Sequence, residues 1–210
     1  MHVHVIDHPL AADALARLRD VRTPREGFRK ALRDLSRHLV YEACRTLPTE
    51  KVEFDTPMGP TTGERIGEDK ELPLVVPVLR AGLGMLEAAL EMLPGAHTGF
   101  VGLRRNEETL LPDSYLDTVP PALDGQPVMV LDPMLATAGS AVYACELLRK
   151  AGAGTITVVC VLSAPEGIAT LADSGHADIH YTAAIDSHLN DIGYIVPGLG
   201  DAGDRQYGAQ

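Results

Sequence analysis

The stretch V-M-V-L-D-P-M-L-A-T-A-G-S-A-V-Y-A, Val128 to Ala144, decides the fold class. An apolar run from Val128 to Leu131 ends in an acid, Asp132. A turn of small residues, Ala136 to Ser140, follows, and a helical pattern then runs from Ala141 to Lys150. The order is strand, loop, helix, with a carboxylate at the strand's C-terminal end. The loop's small side chains let backbone N–H groups close around an anion, and the first helical turn adds unpaired donors and the positive end of its dipole. A carboxylate upstream does not favour that anion, but it accepts two hydrogen bonds from a vicinal diol, as acids at strand ends do with ribose. Acid plus anion cradle suits a ribose 5-phosphate. The competing reading makes Asp132-Pro133 a turn and Thr137 or Ser140 a helix cap, and the rest of the chain has to separate the two.

Working outward, strand and helix patterns alternate on both sides of this stretch. Leu74 to Leu79 is a near-continuous apolar run, as a strand buried on both faces requires, and Leu83 to Leu93 is helical. Thr98 to Leu103, Thr155 to Leu162 and Ile179 to Ala184 read as further strands. Ser140 to Lys150 and Pro165 to Asp173 read as connecting helices, with Gly152 stopping the first of them. This predicts an α/β fold, a doubly wound parallel sheet whose ligands bind beyond the carboxyl ends of the strands. Arg80 and Arg105 fall just past two such ends. Arginine suits bidentate contact with phosphate, so the pair reads as a diphosphate clamp separate from the cradle.

Three other segments frame this core. His2 to Arg45 is helical after a short extended start, with Leu10, Ala14, Leu15 and Leu18 on one apolar face and Phe28, Leu32, Leu35, Leu39 and Val40 on another; Thr23 is expected to cap the second helix and Pro24 to occupy its first position. The alternating His2 and His4 lack nearby companions for a metal site. Residues 51–71 are polar and rich in turn formers, which suggests a hairpin arm; an isolated ribbon is marginal in water, so it is expected to pack on another subunit. The polar connection from Asn106 to Gln126 is expected to be a lid over the site. Tyr194 to Gly208 has too much glycine for strand or helix and is expected to present irregular backbone to a small planar base, matching its carbonyls and N–H groups directly.

Composition narrows the classes. The 210 residues are 45% apolar and suit one domain over 1–210, with residues 185–210 as a base-binding segment. A formal charge of −11, from 18 basic against 29 acidic residues, argues against nonspecific binding to nucleic acid or anionic membrane. Cys44, Cys145 and Cys160 show no C-x-x-C spacing and read as thiols in a reducing compartment. With no apolar run near the roughly 20 residues of a membrane span and no signal-like start, a cytoplasmic location is expected.

D-P-M-L-A-T-A-G-S-A resembles the phosphoribosyl-diphosphate signature of the type I phosphoribosyltransferases, in the form carried by their uracil branch. G-L-R-R-N-E-E-T-L, from Gly102, and Y-I-V-P-G-L-G-D-A-G-D-R, from Tyr194, are similar to two further signatures of that branch. The chain has Asp132-Pro133 where many of the wider family have two acids, and Ala138 where the uracil branch usually has Gly. The resemblance implies the type I phosphoribosyltransferase fold and the conversion of uracil and 5-phosphoribosyl 1-diphosphate to UMP and diphosphate. It places phosphoribosyl-diphosphate contacts on Arg80, Arg105, Asp132, Pro133, Met134, Leu135, Ala136, Thr137, Ala138, Gly139, Ser140 and Asp201. Uracil contacts fall on Ile195, Gly200, Asp201 and Ala202, and the catalytic roles on Asp201, Arg105 and Asp132. It also implies Mg2+ held mainly by substrate oxygens, a homo-oligomer of dimer size or larger built through the arm, and a GTP effector among the partners to test. Two other classes stand beside it, an S-adenosylmethionine-dependent methyltransferase and a non-catalytic regulator that binds phosphoribosyl diphosphate.

Overall fold

The computed structural model describes residues 1–67, 72–105 and 112–208, with backbone alone for Arg104, Arg105, Pro112 and Asp113. The chain opens with β1 (His2–Val5), α1 (Pro9–Arg19) and α2 (Arg25–Ala43), and then forms the antiparallel pair β2 (Thr49–Thr56) and β3 (Gly59–Ile66). The α/β core follows as β4 (Leu74–Leu79), α3 (Leu83–Met92), β5 (Val101–Arg105), β6 (Pro112–Asp117), β7 (Val128–Leu131), β8 (Met134–Leu135), α4 (Gly139–Lys150), β9 (Ile156–Ser163), α5 (Pro165–Ser174) and β10 (Ile179–Ile185). A small ribbon of β11 (His188–Leu189) and β12 (Ile195–Val196) leads into α6 (Ala202–Tyr207).

The main sheet runs β1-β10-β9-β7-β4-β5-β6, with β8 added beside β9. Its pairs are parallel except β5 with β6. The continuous apolar runs have the expected cause, a helical layer on each face. Val75, Met129, Val159 and Val161 point into a layer with Leu18, Phe28, Leu32, Leu35, Leu39 and Met85, while Leu74, Val76, Val130 and Val158 meet Ala141, Ala144, Cys145 and Leu148 of α4 and Leu171 of α5. Each large aliphatic side chain buried here contributes about 1.5–3 kcal/mol, so the sheet is a rigid platform for whatever sits on its carboxyl ends.

Several details depart from expectation. Pro24, with φ −68° and ψ 162°, is the N-cap of α2, and the Thr23 hydroxyl instead donates to Arg17 O (2.7 Å), turned back onto the end of α1. Leu10 is exposed and Ala11 takes its place against the core. The segment after residue 111 is not bare loop: β6 pairs with β5 as an edge strand, and with Tyr115, Leu116 and Asp117 exposed it needs no apolar pattern. Of the rest of the expected lid, residues 118–126 form a connection without helix or strand, and residues 106–111 lie outside the described residues. Gly152, with φ +84°, follows the Ala151 cap of α4 as the left-handed residue that ends the helix. The three cysteines are free, and burial pushes the Cys145 thiol up to about 12. No helix among the described residues is long and apolar enough to cross a membrane.

The hairpin arm spans Thr49 to Ile66 and projects from the core. Phe54 and Ile66 are exposed, and Met58 at its tip is 96% exposed.

Candidate active site

Strand order creates the crevice. From the adjacent pair β4 and β7, the next strand on one side is β5 and on the other β9, so the connections leave in opposite directions and open a gap beyond the two carboxyl ends. Arg80 directly follows β4 and Asp132 directly follows β7. The two loops touch: a Cβ on Gly82 would lie 2.2 Å from Leu131 O, so only glycine lets the β4 loop settle against β7.

Asp132 is half-buried in the crevice wall and its Oδ1 accepts from Met134 N–H (3.4 Å). Burial pushes its carboxyl up to about 7; the Met134 N–H opposes this, and the negative charge of Asp201 adds to it. A carboxylate this basic favours a partner that donates hydrogen bonds.

The cradle begins at Ala136, directly after β8. Ala138 is the N-cap of α4 in the left-handed conformation, φ 65° and ψ 1°, and no side chain bonds the helix start. The Val142 N–H returns to Ala138 O (2.9 Å). Neither Thr137 nor Ser140 acts as the cap, so the first-turn N–H groups face the crevice without a side-chain acceptor, as an anion site requires. α5 supports the loop closely enough that a Cβ on Gly167 would lie 2.2 Å from Ala136 O. A β-carbon in left-handed backbone costs about 1 kcal/mol, partly offset by the extra unfolded-state freedom that glycine brings. Ala138→Gly is therefore expected to raise Tm by about 1–3 °C in differential scanning calorimetry; a fall would show that the methyl's packing outweighs the strain.

The facing wall comes from the C-terminal segment, which is more regular than its glycines suggest. Asp201 caps α6 by accepting from Asp204 N–H (2.8 Å), and Ile195–Val196 pairs with His188–Leu189. Left-handed Gly198 (φ +66°) makes the bend between them, where a Cβ would lie 2.1 Å from Ile195 O. This hood is tied to the N-terminal helices by two arginines. Arg19 donates to both Asp186 oxygens (2.8 and 2.5 Å) and to Gly198 O (2.9 Å), while Asp186 accepts from Gly198 N–H (2.7 Å). Arg205 donates to Leu199 O (2.9 Å), Asp20 O (2.7 Å) and Leu18 O, and its guanidinium lies 4.4 Å from the centre of the Phe28 ring.

Between the walls lies a cleft of about 920 Å3. Asp132, Met134, Ala136, Thr137, Gly139 and Ser140 line one side, and Ile195, Gly200, Asp201 and Ala202 the other. Pro133, Leu135 and Ala138 are buried behind the first wall and shape it through their backbone. Arg80 stands at the edge, its Nη2 3.6 Å from Asp204 Oδ1. Arg105 ends β5, one strand beyond β4; its side chain lies outside the description. The turn from Asn190 to Tyr194, inside the base-binding segment expected over 185–210 though none of its residues was assigned a contact, also lines the cleft. Its signal is local, since Asn190 Oδ1 accepts from Ile192 N–H (3.2 Å) and Tyr194 N–H (2.9 Å), the habit of Asn ahead of a Gly-containing turn. Ala81, Leu103, Leu189 and Gly203 complete the lining.

Residues 5–209 match the family described as uracil phosphoribosyltransferase. The chain is 50% identical over 208 residues to the uracil phosphoribosyltransferase of Corynebacterium diphtheriae, covering 99% of this chain and 97% of that one. It is 50% identical over 211 residues to that of Streptomyces avermitilis, covering 100% and 99%. Among solved structures, the AQ2163 protein of Aquifex aeolicus is similar with a TM-score of 0.89 and 37% identity, covering 99% of both chains. The APRTase of Giardia lamblia, complexed with 9-deazaadenine, is similar with a TM-score of 0.51 at 16% identity over 76% of this chain and 81% of that one, a likeness of fold alone.

Proposed function

Since the chain belongs to the uracil phosphoribosyltransferase family, we propose that it transfers the phosphoribosyl group of 5-phospho-α-D-ribose 1-diphosphate to N1 of uracil, releasing diphosphate and UMP. The observation that carries this reading is one cleft with a diol-type acid, Asp132, and an uncapped helix start on one wall, faced by the glycine-rich hood on the other. In this assignment Asp132 accepts from the ribose hydroxyls, and the backbone from Ala136 to Ser140 holds the 5-phosphate. Arg80 and Arg105 neutralise the leaving diphosphate. Ile195, Gly200 and Ala202 present backbone to the uracil edge, which disfavours cytosine because its amino group would leave a buried donor unpaired.

The C1′–O bond to diphosphate breaks as the N1–C1′ bond forms, and the N1 proton leaves. In this assignment Asp201, which lines the cleft, accepts that proton or steadies the cationic ribosyl centre. The residues fit a magnesium ion that arrives on the substrate: Asp132 and Asp201 can order its water shell but are too few to supply the octahedral set that Mg2+ requires. When bound there, the ion adds charge neutralisation to the leaving group. Catalysis is then mostly positioning and electrostatic stabilisation.

Neither methyl transfer nor silent binding has support from the relatives. Purified protein incubated with uracil, phosphoribosyl diphosphate and Mg2+ is expected to form UMP, and cytosine is expected to give no product. Absence of UMP would overturn the reading.

The projecting arm belongs to the same proposal as the element that joins two copies. A lone two-stranded ribbon with Phe54, Met58 and Ile66 exposed gains little stability by itself and is stabilised by packing on a second chain. Deleting Glu53 to Arg65 is expected to yield monomer by light scattering on a sizing column, and an oligomer that survives the deletion would place the interface elsewhere.

A further inference from the structure

Gln206 is fully buried on the short helix α6, and it joins the loop after β4 to the C-terminal wall of the cleft. Its Nε2 donates to Ala81 O (3.0 Å), in the loop that follows β4, and to Ala202 O (2.9 Å), at the start of α6. Two carbonyl acceptors fix the amide's orientation, because the flipped group would aim an oxygen at both. Among the described residues Oε1 then has no partner. An unpaired buried oxygen is a cost that leucine or methionine of similar size would avoid. Gly84 makes room for it, since a Cβ there would lie 1.8 Å from Oε1. A residue that served only to fill space would not need this arrangement. The two donated hydrogen bonds are what the amide adds.

Their ends are informative. Ala81 follows Arg80, the residue assigned to the diphosphate, and itself lines the cleft; Ala202 follows Asp201 and lines the side assigned to the base. On the outer side the approach of Arg80 to Asp204 joins the same two segments a second time. Building on the functional reading above, we infer that Gln206 is a positioning residue that couples the diphosphate loop at Arg80–Ala81 to the base-binding start of α6, so that occupancy of one half orders the other. Diphosphate drawn to Arg80 fixes the Ala81 carbonyl, and the shared amide holds Ala202 in the position that receives uracil. Coupling between sites of this kind is a difference in affinity rather than a contact to substrate.

Gln206→Met keeps the length, removes both donors and removes the unpaired oxygen, while Ala81 O keeps Gly84 N–H as a partner (3.3 Å). It is expected to melt near the wild-type temperature, with the uracil KM raised about tenfold at nearly unchanged kcat. Hydrogen–deuterium exchange is expected to show magnesium diphosphate protecting residues 80–84 and 202–207 in the wild-type protein but only 80–84 in the variant. Gln206→Glu supplies a pH readout. Its ionised carboxylate has no donor for the two carbonyls and its protonated form has one, so its uracil KM, relative to wild type at each pH, is expected to fall as pH is lowered. Protection of 202–207 by diphosphate in Gln206→Met, with a wild-type uracil KM, would overturn the inference. So would a KM change that merely follows a lowered Tm while Gln206→Glu stays independent of pH. If wild-type protein forms no UMP, the functional reading falls, and the exchange experiment still decides the coupling.

Discussion

Asp132→Asn is expected to lose about one to three orders of magnitude in kcat/KM for phosphoribosyl diphosphate while gaining thermal stability above pH 7. The loss follows from hydrogen bonds to a charged acceptor, which contribute roughly 1.5–3 kcal/mol each, against weaker bonds to a neutral amide that also introduces a competing donor. The gain follows from the raised carboxyl. Folding moves Asp132 from 3.8 to about 7, chiefly through burial and further through the charge of Asp201. The native state therefore binds the proton more tightly than the unfolded chain. The resulting stability is fully present below about pH 4 and is lost as pH rises through about 7. Above that the ionised group opposes folding by up to roughly 4 kcal/mol, reduced by whatever the cleft's water screens.

Asparagine removes this dependence, so the Tm difference between variant and wild type should widen from pH 5 to pH 8. Ligand binding has the opposite sign: ribose hydroxyls favour the ionised form, so the wild-type KM for phosphoribosyl diphosphate should rise as pH falls below 7. Thermal melts across that range, paired with steady-state kinetics, check both halves. A variant of near-normal efficiency and pH-independent stability difference would remove Asp132 from the ribose site.

What could be read from the chain and what could not divide along physical lines. β4 and β7 stand where their apolar runs end, because burial on both faces leaves no polar position to blur the boundary. β9 and β10 differ from their expected spans by a residue or so. β6 escaped because an exposed edge strand has no apolar face to advertise. The acid and the small-residue loop announced the first wall, yet the left-handed cap falls on Ala138, a residue type that carries no signal for positive φ. On the second wall glycine hid order: Gly203 lies inside α6, and Asp201 starts that helix despite it. The contacts that hold the hood, Arg19 with Asp186 and Arg205 with Leu18 and Asp20, join residues far apart in the chain and leave no local pattern. Gln206 is of the same kind, an ordinary polar residue whose role depends on a carbonyl at position 81.

Asp201 is where two readings coexist. Its Oδ1 accepts from Asp204 N–H (2.8 Å) as the cap of α6, which is the turn role, while its carboxylate lines the cleft and raises the Asp132 carboxyl. Asparagine caps helices about as well as aspartate, so Asp201→Asn keeps the helix and removes only the charge. If that charge accepts the uracil N1 proton or steadies the ribosyl cation, kcat should fall by about 10²-fold or more, with the uracil KM little changed because backbone around Ile195, Gly200 and Ala202 still holds the base. Asp201→Ala separates the roles further, since it loses the cap as well and should cost about 1 kcal/mol of stability that the asparagine variant does not lose. The charge has a second readout. Without a negative neighbour the Asp132 carboxyl ionises more readily, so the rise in phosphoribosyl-diphosphate KM on acidification should begin at lower pH in Asp201→Asn than in wild type. An unchanged kcat together with an unmoved acid limb would leave Asp201 as a helix cap and nothing more, and the proton would then have to leave to water.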